Sequence, residues 1–268
     1  MNNELMEKSM ALRSEGINPT LALVRLGNRP DDMAYERGAK ARAKATGVDI
    51  REFVFDENIQ VEDLLNQIDL LNKDDEIHGI LVFRPLPSHI DDEAVRNAVS
   101  PEKDVDGITY VSQAGVYVGD GMGYPPCTAA ACMEILRAYD IDVRGKNVVV
   151  IGRSQVIGRP VAMMLIEADA TVTVCHTKTK NTQEICKNSD IIIVAAGKIG
   201  TITKEHLSPG QVVIDVAINF NDEGKMIGDV DFEVAEKIVG AITPVPGGVG
   251  RVTTGILMKH TIDAAKKE

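Results

Sequence analysis

A run of β-branched residues, a glycine turn and the start of a helix follow one another over residues 148–160, and this stretch constrains the fold most strongly. The four residues before Gly152 are β-branched, as is typical of a strand buried on both faces of a sheet. Gly158 and Pro160 then open a helix. Backbone N–H groups at such a helix start form an anion site, usually for phosphate. The stretch therefore predicts a strand–turn–helix unit with a phosphate-binding turn.

The same turn contains Arg153 and Ser154, which offer a guanidinium and a hydroxyl group. These groups suit an additional phosphate, such as the one on the ribose 2′ position of NADP. A second turn agrees with this, because Thr177 and Lys178 stand where an acidic residue would select NAD. The sequence thus favours NADP. The Gly-x5-Gly spacing differs from G-x-G-x-x-G, however, and also fits an ordinary turn with a surface arginine.

The 268-residue chain has a formal net charge of −11, which argues against partners such as nucleic acid or an anionic membrane surface. It contains no run of about 18 apolar residues that could cross a membrane, and its start lacks the features of a secretory signal. Its four cysteines form no C-x-x-C pair and its five histidines no ligand pattern. We therefore expect reduced thiols, no metal site and a cytoplasmic protein.

Strand-like apolar runs alternate with helical segments in two parts of the chain, which predicts two α/β units with parallel sheets. In the first part we predict helix 4–15, strand 20–27, helix 30–47, strand 48–55, helix 61–72 and strand 78–83. In the second part we predict helix 128–139, strand 146–151, helix 157–168, strand 170–175, helix 181–188, strands 190–195 and 211–215, and a last helix at 252–267. Residues 100–126 show little helical period, and we interpret them as an ordered crossing segment at a domain boundary. A ligand cleft is expected between the two units.

Three further features could carry chemistry, and each also has an ordinary structural explanation. Tyr35 lies on the helix after the first strand, where it faces a ligand or is simply half-buried. Asp104 and Asp106 would point to the same side of an extended segment and bind a polar heterocycle, or form a solvated turn. The proline–glycine loop at 243–250 lets a flat ligand approach the backbone, or is a tight connection.

Five motifs occur in order at 103–107, 126–128, 152–158, 175–179 and 243–250: Lys-Asp-Val-Asp-Gly, Pro-Cys-Thr, Gly-Arg-Ser up to a second glycine, Cys-His-Thr-Lys-Thr, and Thr-Pro-Val-Pro-Gly-Gly-Val-Gly. Together they strongly resemble the methylenetetrahydrofolate dehydrogenase/cyclohydrolase family, over essentially the whole chain. The resemblance implies an α/β fold with a folate-binding catalytic domain at 1–125, a Rossmann-type NADP-binding domain at 126–251, and a C-terminal helix at 252–268 that returns to the first domain. It also implies a homodimer and a tetrahydrofolate one-carbon substrate.

Site residues follow from the same resemblance by matching the motifs position by position. It implies that six residues contact NADP: Gly152, Arg153, Ser154, Gly158, Thr177 and Ile218. It implies that four residues line the folate site: Tyr35, Asp106, Pro246 and Gly247. Tyr35 and Asp106 are the predicted catalytic residues among these.

Five positions depart from the family pattern, and two of them bear on the cyclohydrolase step. The family's bifunctional members have a Tyr-x-x-x-Lys motif, but Ala39 stands four residues after Tyr35 in this chain. Lys40 is about 140° around the helix from Tyr35 and therefore points elsewhere. Phe83 replaces the glutamine of the family's Val-Gln-Leu-Pro-Leu-Pro motif. Smaller departures are Ala129, Ala217 and Arg251, where the family has proline, glycine and proline.

The resemblance assigns the proton transfers of the cyclohydrolase step to that lysine, tuned by the glutamine. We therefore expect an NADP-dependent methylenetetrahydrofolate dehydrogenase whose cyclohydrolase activity is weak or absent. A fully bifunctional enzyme with a relocated base is one alternative. A catalytically silent module that binds NADP and folate is an alternative of another class, and a two-domain dehydrogenase acting on shikimate is a third. An arginine such as Arg84 would be a poor base because it stays protonated.

Overall fold

The computed structural model describes residues 1–266, which form two compact units. The first unit comprises Met1–Cys127 and the chain from Thr254 onward, and the second comprises Thr128–Thr253. Each unit contains its own parallel sheet with helices, as predicted. Within the described residues, no helix is long and apolar enough to cross a membrane.

The first unit is built on a three-stranded parallel sheet in the order β2-β1-β3. Its elements in this part of the chain are α1 Asn2–Ser14, β1 Thr20–Leu26, α2 Pro30–Thr46, β2 Asp49–Phe55, α3 Val61–Lys73, β3 Gly79–Val82, α4 Asp92–Ala98 and α5 Tyr110–Val118. The central strand β1 is buried at all seven positions, as expected for a strand covered on both faces. It packs with β3 and with the apolar face of α3 to form the core of this unit.

Helix α2 begins and ends where its sequence predicts. Pro30 is its first residue, and Asp31 and Asp32 follow in the first turn, where acidic side chains favour the positive end of the helix dipole. Gly47 ends the helix with a φ of +74°, a left-handed conformation that glycine adopts without steric cost. These end signals set the bounds of the helix that carries Tyr35.

The prediction of little helical structure in residues 100–126 was wrong, because α5 lies inside that segment. The helix has a good start signal, since the Thr109 hydroxyl accepts a hydrogen bond from the Ser112 N–H at 3.2 Å. Its buried face is formed by Ser112 and Gly115, whereas Tyr117 and other large apolar side chains are exposed. Because the buried positions are small or polar, the sequence shows no apolar stripe of helical period.

The second unit has a five-stranded parallel sheet in the order β10-β7-β6-β4-β5. The elements that follow α5 are α6 Cys127–Ala138, β4 Asn147–Ile151, α7 Gly158–Glu167, β5 Thr171–Cys175, α8 Thr182–Lys187, β6 Ile191–Val194, a 3₁₀ turn Lys204–His206, β7 Val212–Asp215, β8 Asn219–Phe220, β9 Met226–Ile227, α9 Phe232–Ala235, β10 Ala241–Ile242 and α10 Val249–Ala265. Strand β4 pairs with β5 on one side and β6 on the other, so the strand order reverses there. In such sheets ligands bind at the carboxyl ends of the strands beside the reversal.

The short elements α4, α9, β8, β9 and β10 and the 3₁₀ turn were not predicted. All of these except α4 have two to four residues, which is too few to show a helical or strand period. The last helix begins three residues earlier than predicted, at Val249. Its predicted end at 267, and the end of the predicted segment 252–268, lie outside the described residues.

Candidate active site

In the first unit, Tyr35 and Phe83 lie against each other at the carboxyl side of the sheet. Phe83 directly follows β3, and Tyr35 lies in the second turn of α2. Their ring centroids are 6.0 Å apart with an angle of 82° between the planes, which is an edge-to-face contact. Phe83 is buried and Tyr35 half-buried. Removal from water raises the pKa of the Tyr35 hydroxyl well above its usual value, and the nearby Asp106 carboxyl raises it further, so Tyr35 is neutral at physiological pH.

One turn along α2 from Tyr35, Ala39 is completely buried. The neighbouring Lys40 is directed away from this position, as predicted, because its ammonium group donates to Glu36 Oε1 at 2.6 Å and Glu52 Oε2 at 2.5 Å. Glu36 also accepts from the Arg25 guanidinium at 2.7 Å. Lys40 is therefore committed to an ion-pair network, and its raised pKa, caused first by the hydrogen bond to Glu36, keeps it protonated.

The prediction that Asp104 and Asp106 lie on the same side of an extended segment was wrong, and the alternative of a solvated turn also fails for Asp104. Asp104 is fully buried in a turn, and its carboxylate accepts hydrogen bonds from the Ile108 and Thr109 N–H groups at 2.9 and 2.8 Å. The Ser112 hydroxyl donates a third at 2.6 Å. Asp104 therefore holds the start of α5 and has a structural role.

Asp106 is the member of the pair whose carboxyl group lies near Tyr35. Removal from water raises the pKa of Asp106 to about 7, and the charge of Asp104 contributes in the same direction. Hydrogen bonding to the Cys127 thiol and the charge of Arg84 oppose this rise. A carboxyl group with this pKa changes between hydrogen-bond donor and acceptor near neutral pH, which suits a group that contacts a polar heterocycle.

A cavity of about 180 Å³ adjoins Phe83 on the same side of the first unit. Its lining is partly apolar and partly charged: Leu26, Arg29, Asp32, Glu57, Phe83, Pro85, Leu86 and Pro87. Asp32 is buried, and removal from water raises the pKa of its carboxyl group although Arg29 opposes this. Because Asp32 precedes Tyr35 by three residues on α2, both side chains lie on neighbouring parts of one helix face.

In the second unit, two glycines permit the tight turn between β4 and α7. Gly152 has a φ of +115°, and a Cβ atom there would lie 2.3 Å from the Ala195 carbonyl oxygen. A Cβ atom on Gly158 would lie 2.2 Å from the Gly152 carbonyl oxygen. Only glycine fits at either position. The two glycines of the motif therefore allow close backbone contacts in the turn before the helix begins.

Arg153 and Ser154 lie in this turn and are exposed. The Ser154 hydroxyl accepts a hydrogen bond from the Ile157 N–H at 3.1 Å, which leaves its own hydrogen free to be donated to an anion. No described side chain caps α7 at Ile157. The Arg159 N–H donates to the Ser154 carbonyl at 3.0 Å and Pro160 has no N–H, so the backbone donor that this helix start can offer an anion is the Gly158 N–H. The side chains and the helix start thus present donors at the edge where nucleotides bind in such sheets.

Thr177 lies in the turn after β5, the strand paired with β4 on one side. The turn is closed by two hydrogen bonds, from the His176 N–H to the Thr179 hydroxyl at 2.9 Å and from the Lys178 N–H to the His176 ring at 3.1 Å. Thr177 and Lys178 are exposed, and neither is acidic. The turn therefore has the polarity expected beside a phosphate group.

The remaining predicted residues lie in loops at the same edge of the second unit. Ile218 follows β7 and is 56% exposed, and Gly250 at the start of α10 lies beside it. Pro246 and Gly247 are exposed, and Gly247 has a φ of +109°. The Gly248 N–H donates to the Pro244 carbonyl at 2.9 Å and closes this loop. An exposed apolar side chain and an exposed glycine backbone suit contact with flat rings.

The sequence interpretation missed Asp229, which shapes the loop after β6. Its carboxylate accepts from three successive backbone N–H groups, those of residues 196, 197 and 198, at 2.7, 2.9 and 2.7 Å. The Asn219 side chain donates a fourth hydrogen bond at 2.9 Å. The sequence around Asp229, Gly-Asp-Val-Asp at 228–231, does not indicate these contacts. The three backbone N–H partners lie more than 30 residues earlier in the chain.

Comparison with known proteins agrees with both halves of this description. Residues 1–106 match the model of the tetrahydrofolate dehydrogenase/cyclohydrolase catalytic domain, and residues 126–268 match that of the tetrahydrofolate dehydrogenase/cyclohydrolase NAD(P)-binding domain. This chain belongs to the tetrahydrofolate dehydrogenase/cyclohydrolase family. The sequence resemblance to this family is thereby confirmed, and the alternative of a shikimate-type dehydrogenase is excluded.

Individual relatives extend over nearly the full chain. The bifunctional protein FolD of Carboxydothermus hydrogenoformans is 44% identical over 268 residues, which cover 99% of this chain and 93% of that protein. The crystal structure of the bifunctional enzyme FolD from Campylobacter jejuni is 41% identical, with a TM-score of 0.97 over 99% of this chain and 94% of that chain. The Trypanosoma brucei enzyme, solved with NADP cofactor and inhibitor, is 37% identical, with a TM-score of 0.93 over 99% and 93% of the two chains.

Proposed function

We propose that this family member oxidises 5,10-methylenetetrahydrofolate to 5,10-methenyltetrahydrofolate by hydride transfer to NADP, and that its cyclohydrolase activity is weak or absent. The relatives above are named as methylenetetrahydrofolate dehydrogenases and cyclohydrolases, which supports the first reaction. One observation carries the second statement: Ala39, a buried residue without a titratable group, occupies the α2 position one turn after Tyr35.

In this proposal the six predicted NADP residues are assigned to the cofactor and the four predicted folate residues to the substrate. Tyr35 forms an aromatic wall of the folate site, and Asp106 hydrogen-bonds the polar heterocycle. Gly152 and Gly158 let the backbone approach the pyrophosphate, and Arg153, Ser154 and Thr177 contact the 2′-phosphate side. Ile218, Pro246 and Gly247 offer flat surfaces to rings.

Hydride transfer needs little acid–base chemistry from these side chains. NADP supplies the hydride acceptor when it is bound, and the protein supplies orientation. The Tyr35 ring is packed against Phe83, and the Gly152–Gly158 turn is tightly packed, so both are suited to orient ligands. The residues assigned here support the dehydrogenase step in this proposal.

Hydrolysis of the methenyl group is different, because water must add to a carbon atom and the ring must then open with proton transfers. A positioned acid or base contributes a factor of about 10²–10⁴ to such a step. The Ala39 methyl group and the Phe83 ring transfer no protons. Lys40 is held by Glu36 and Glu52 and stays protonated, and Arg84 is engaged by Asp92. These four residues account for a slow or absent second step.

Asp32 is the observation that favours the alternative of a bifunctional enzyme with a relocated base. Its carboxyl group is buried beside Phe83, and burial raises its pKa, as is common for catalytic acids and bases. We prefer the dehydrogenase-only function because Asp32 lies one turn before Tyr35 on α2, whereas position 39, where the family resemblance implies the lysine, lies one turn after it.

Replacing Ala39 tests this proposal directly. We expect Ala39→Lys combined with Phe83→Gln to raise the cyclohydrolase rate at least about tenfold, because the pair supplies an amine and an amide that can orient water. The Ala39→Met, Phe83→Gln variant is the matched control, since methionine adds similar bulk without an amine. Equal rates for the two double variants, in proteins that retain the dehydrogenase rate, would contradict the assignment of position 39.

Assembly and location are proposed more simply. The homodimer and the cytoplasmic location stay predictions from the resemblance and the composition, and a net charge of −11 supports the expectation that nucleic acid and anionic membranes are not partners. Light scattering tests the first: a homodimer has a mass of about 58 kDa, twice the 29.0 kDa of one chain.

A further inference from the structure

His260 is a buried residue of the first unit that the proposed mechanism does not use. It lies on α10 and is 5% exposed. Its Nδ1 atom lies 2.9 Å from the Val105 carbonyl oxygen and 3.7 Å from the Cys127 sulfur. Its ring also lies beside that of Tyr124, with centroids 5.0 Å apart. A histidine therefore packs against the turn that carries Asp106.

The contact with Val105 fixes the hydrogen position on the His260 ring. A carbonyl oxygen only accepts hydrogen bonds, so Nδ1 must carry the hydrogen and donate it. Removal from water lowers the pKa of His260 to about 4, so the ring is neutral at physiological pH. His260 is therefore a neutral donor to one backbone oxygen.

The turn from Asp104 to Gly107 is held on several sides. Asp104 is bound to the start of α5, and the Cys127 sulfur lies 3.2 Å from the Val105 carbonyl oxygen. A Cβ atom on Gly107 would lie 2.5 Å from the Pro126 nitrogen, so that residue is packed against backbone. Asp106 lies between these fixed points, and the orientation of its carboxyl group follows from the orientation of the Val105–Asp106 peptide.

We propose that His260 is a positioning residue for the folate site: through its hydrogen bond to the Val105 carbonyl, it orients the peptide that aims the Asp106 carboxyl group at the substrate. The inference rests on the proposed function, because it takes Asp106 as a folate-binding residue. It gives a side chain of α10 an indirect role in folate binding, through its contact with the Val105 carbonyl.

Two substitutions separate this role from simple core packing. Asparagine places an amide N–H close to where the histidine Nδ1–H stands, whereas leucine fills a similar volume without a donor. We expect His260→Leu to raise the KM for methylenetetrahydrofolate at least about tenfold, with kcat and the KM for NADP changed less than about twofold. His260→Asn should stay within about threefold of the wild type in all three quantities.

A pH profile supplies a readout that packing alone would not move. The groups acting on Asp106 are Asp104, Cys127, Arg84 and, on α2, Tyr35. Reorienting the carboxyl group changes its distance to each of them, so the apparent pKa in the folate kcat/KM profile should shift by at least about half a unit in His260→Leu. The profile of His260→Asn should overlay that of the wild type.

The experiment combines these kinetics with calorimetric binding of tetrahydrofolate, which needs no turnover. If the wild type binds tetrahydrofolate but reduces no cofactor, the proposed function fails, and the binding constants of the variants still test His260.

Unchanged folate binding and pH profile in His260→Leu, or equal impairment of the Asn and Leu variants, would overturn the inference. His260→Ala, which adds no new contacts, replaces the Leu variant if that protein does not fold. A wild type that binds no tetrahydrofolate would overturn both.

Discussion

At the residue scale, Ala39 and Phe83 stand where the sequence resemblance implies a lysine and a glutamine in bifunctional members of the family. Ala39 follows Tyr35 by four residues on α2 and therefore shares its helix face. An amine at position 39 would be directed beside Tyr35, whereas Lys40 is held by two glutamates. These contacts support our proposal that Lys40 does not take the role of an amine at position 39. The role of position 39 itself stays a proposal until the double variants are measured.

Arg153 allows a direct test of cofactor choice. In Arg153→Ala we expect the KM for NADP to rise about 10- to 100-fold, because charge-assisted hydrogen bonds contribute about 1.5–3 kcal/mol. The KM for NAD should change much less, since NAD lacks the 2′-phosphate. Arg144→Ala is the control, because Arg144 is an exposed arginine that precedes β4 at the opposite end of the strand. A parallel rise for both cofactors would argue against the assigned contact.

Asp106 gives a prediction on stability. Its pKa of about 7 in the folded protein lies above the unfolded value of 3.8, so the folded state holds its proton more tightly. The ionised carboxyl group therefore costs stability progressively as the pH rises from about 4 to about 7. We expect Asp106→Asn to be more stable than the wild type at pH 8 by about 2 kcal/mol, with a smaller difference at pH 5. Urea unfolding at both pH values measures this, and a difference that does not depend on pH would contradict it.

Residue types predicted the part of the site that a short motif encodes. A Cβ atom on Gly158 would meet the Gly152 carbonyl six residues earlier, so this need for glycine was visible as a motif, whereas the contact of Gly152 with Ala195 was not. Asp104 was misinterpreted although its partners are near in sequence, because they form the start of α5, a helix whose buried face is not apolar. His260 and Asp229 were missed because their partners lie 155 and more than 30 residues away.

At the element scale, the strands were predicted well because their apolar runs are short and bounded by glycine, proline or acidic residues. Strands β1, β2 and β4 each lie within one residue of the predicted ends, and the parallel α/β class is confirmed. Two-residue strands are too short to predict, and α5 could not be predicted because its buried positions, such as Gly115 against the Met122 backbone, form no apolar stripe.

The loop after β6 is the element whose shape depends most on one side chain. Each Asp229 carboxylate oxygen accepts two hydrogen bonds. Asparagine would replace one of these oxygens by an NH₂ group, which cannot accept, so two N–H donors would lose their partner. We expect Asp229→Asn to lose about 2–3 kcal/mol of unfolding free energy, the usual cost of leaving buried groups unpaired. Asp231→Asn, an exposed neighbour, should change it by less than about 0.5 kcal/mol.

Thermal and urea unfolding of the two variants measure the difference. An Asp229→Asn protein as stable as the Asp231→Asn control would show that the four hydrogen bonds do not hold the loop. Because this loop lies at the carboxyl end of β6, beside the β4 turn, weaker NADP binding should accompany the loss of stability.

At the scale of the whole molecule, both domain models of the family match this chain, and the central prediction concerns the balance between the dehydrogenase and cyclohydrolase activities. A chain that keeps the cofactor turn and the Tyr35–Asp106 region but lacks an amine at position 39 should release methenyltetrahydrofolate. Such an enzyme depends on a separate catalyst for the hydrolysis.

A quenched time course with the purified wild-type protein, methylenetetrahydrofolate and NADP tests most directly whether methenyltetrahydrofolate is released. Reduced cofactor is followed by absorbance and methenyl product after acid quenching, in a buffer where spontaneous hydrolysis of the methenyl group is slow. We predict that methenyltetrahydrofolate accumulates in step with NADPH, one for one. Reduction of NADP while the methenyl product stays near zero would contradict the account and make Asp32→Asn the next variant to test for a relocated base. No reduction with NADP or NAD would instead indicate the silent binding module.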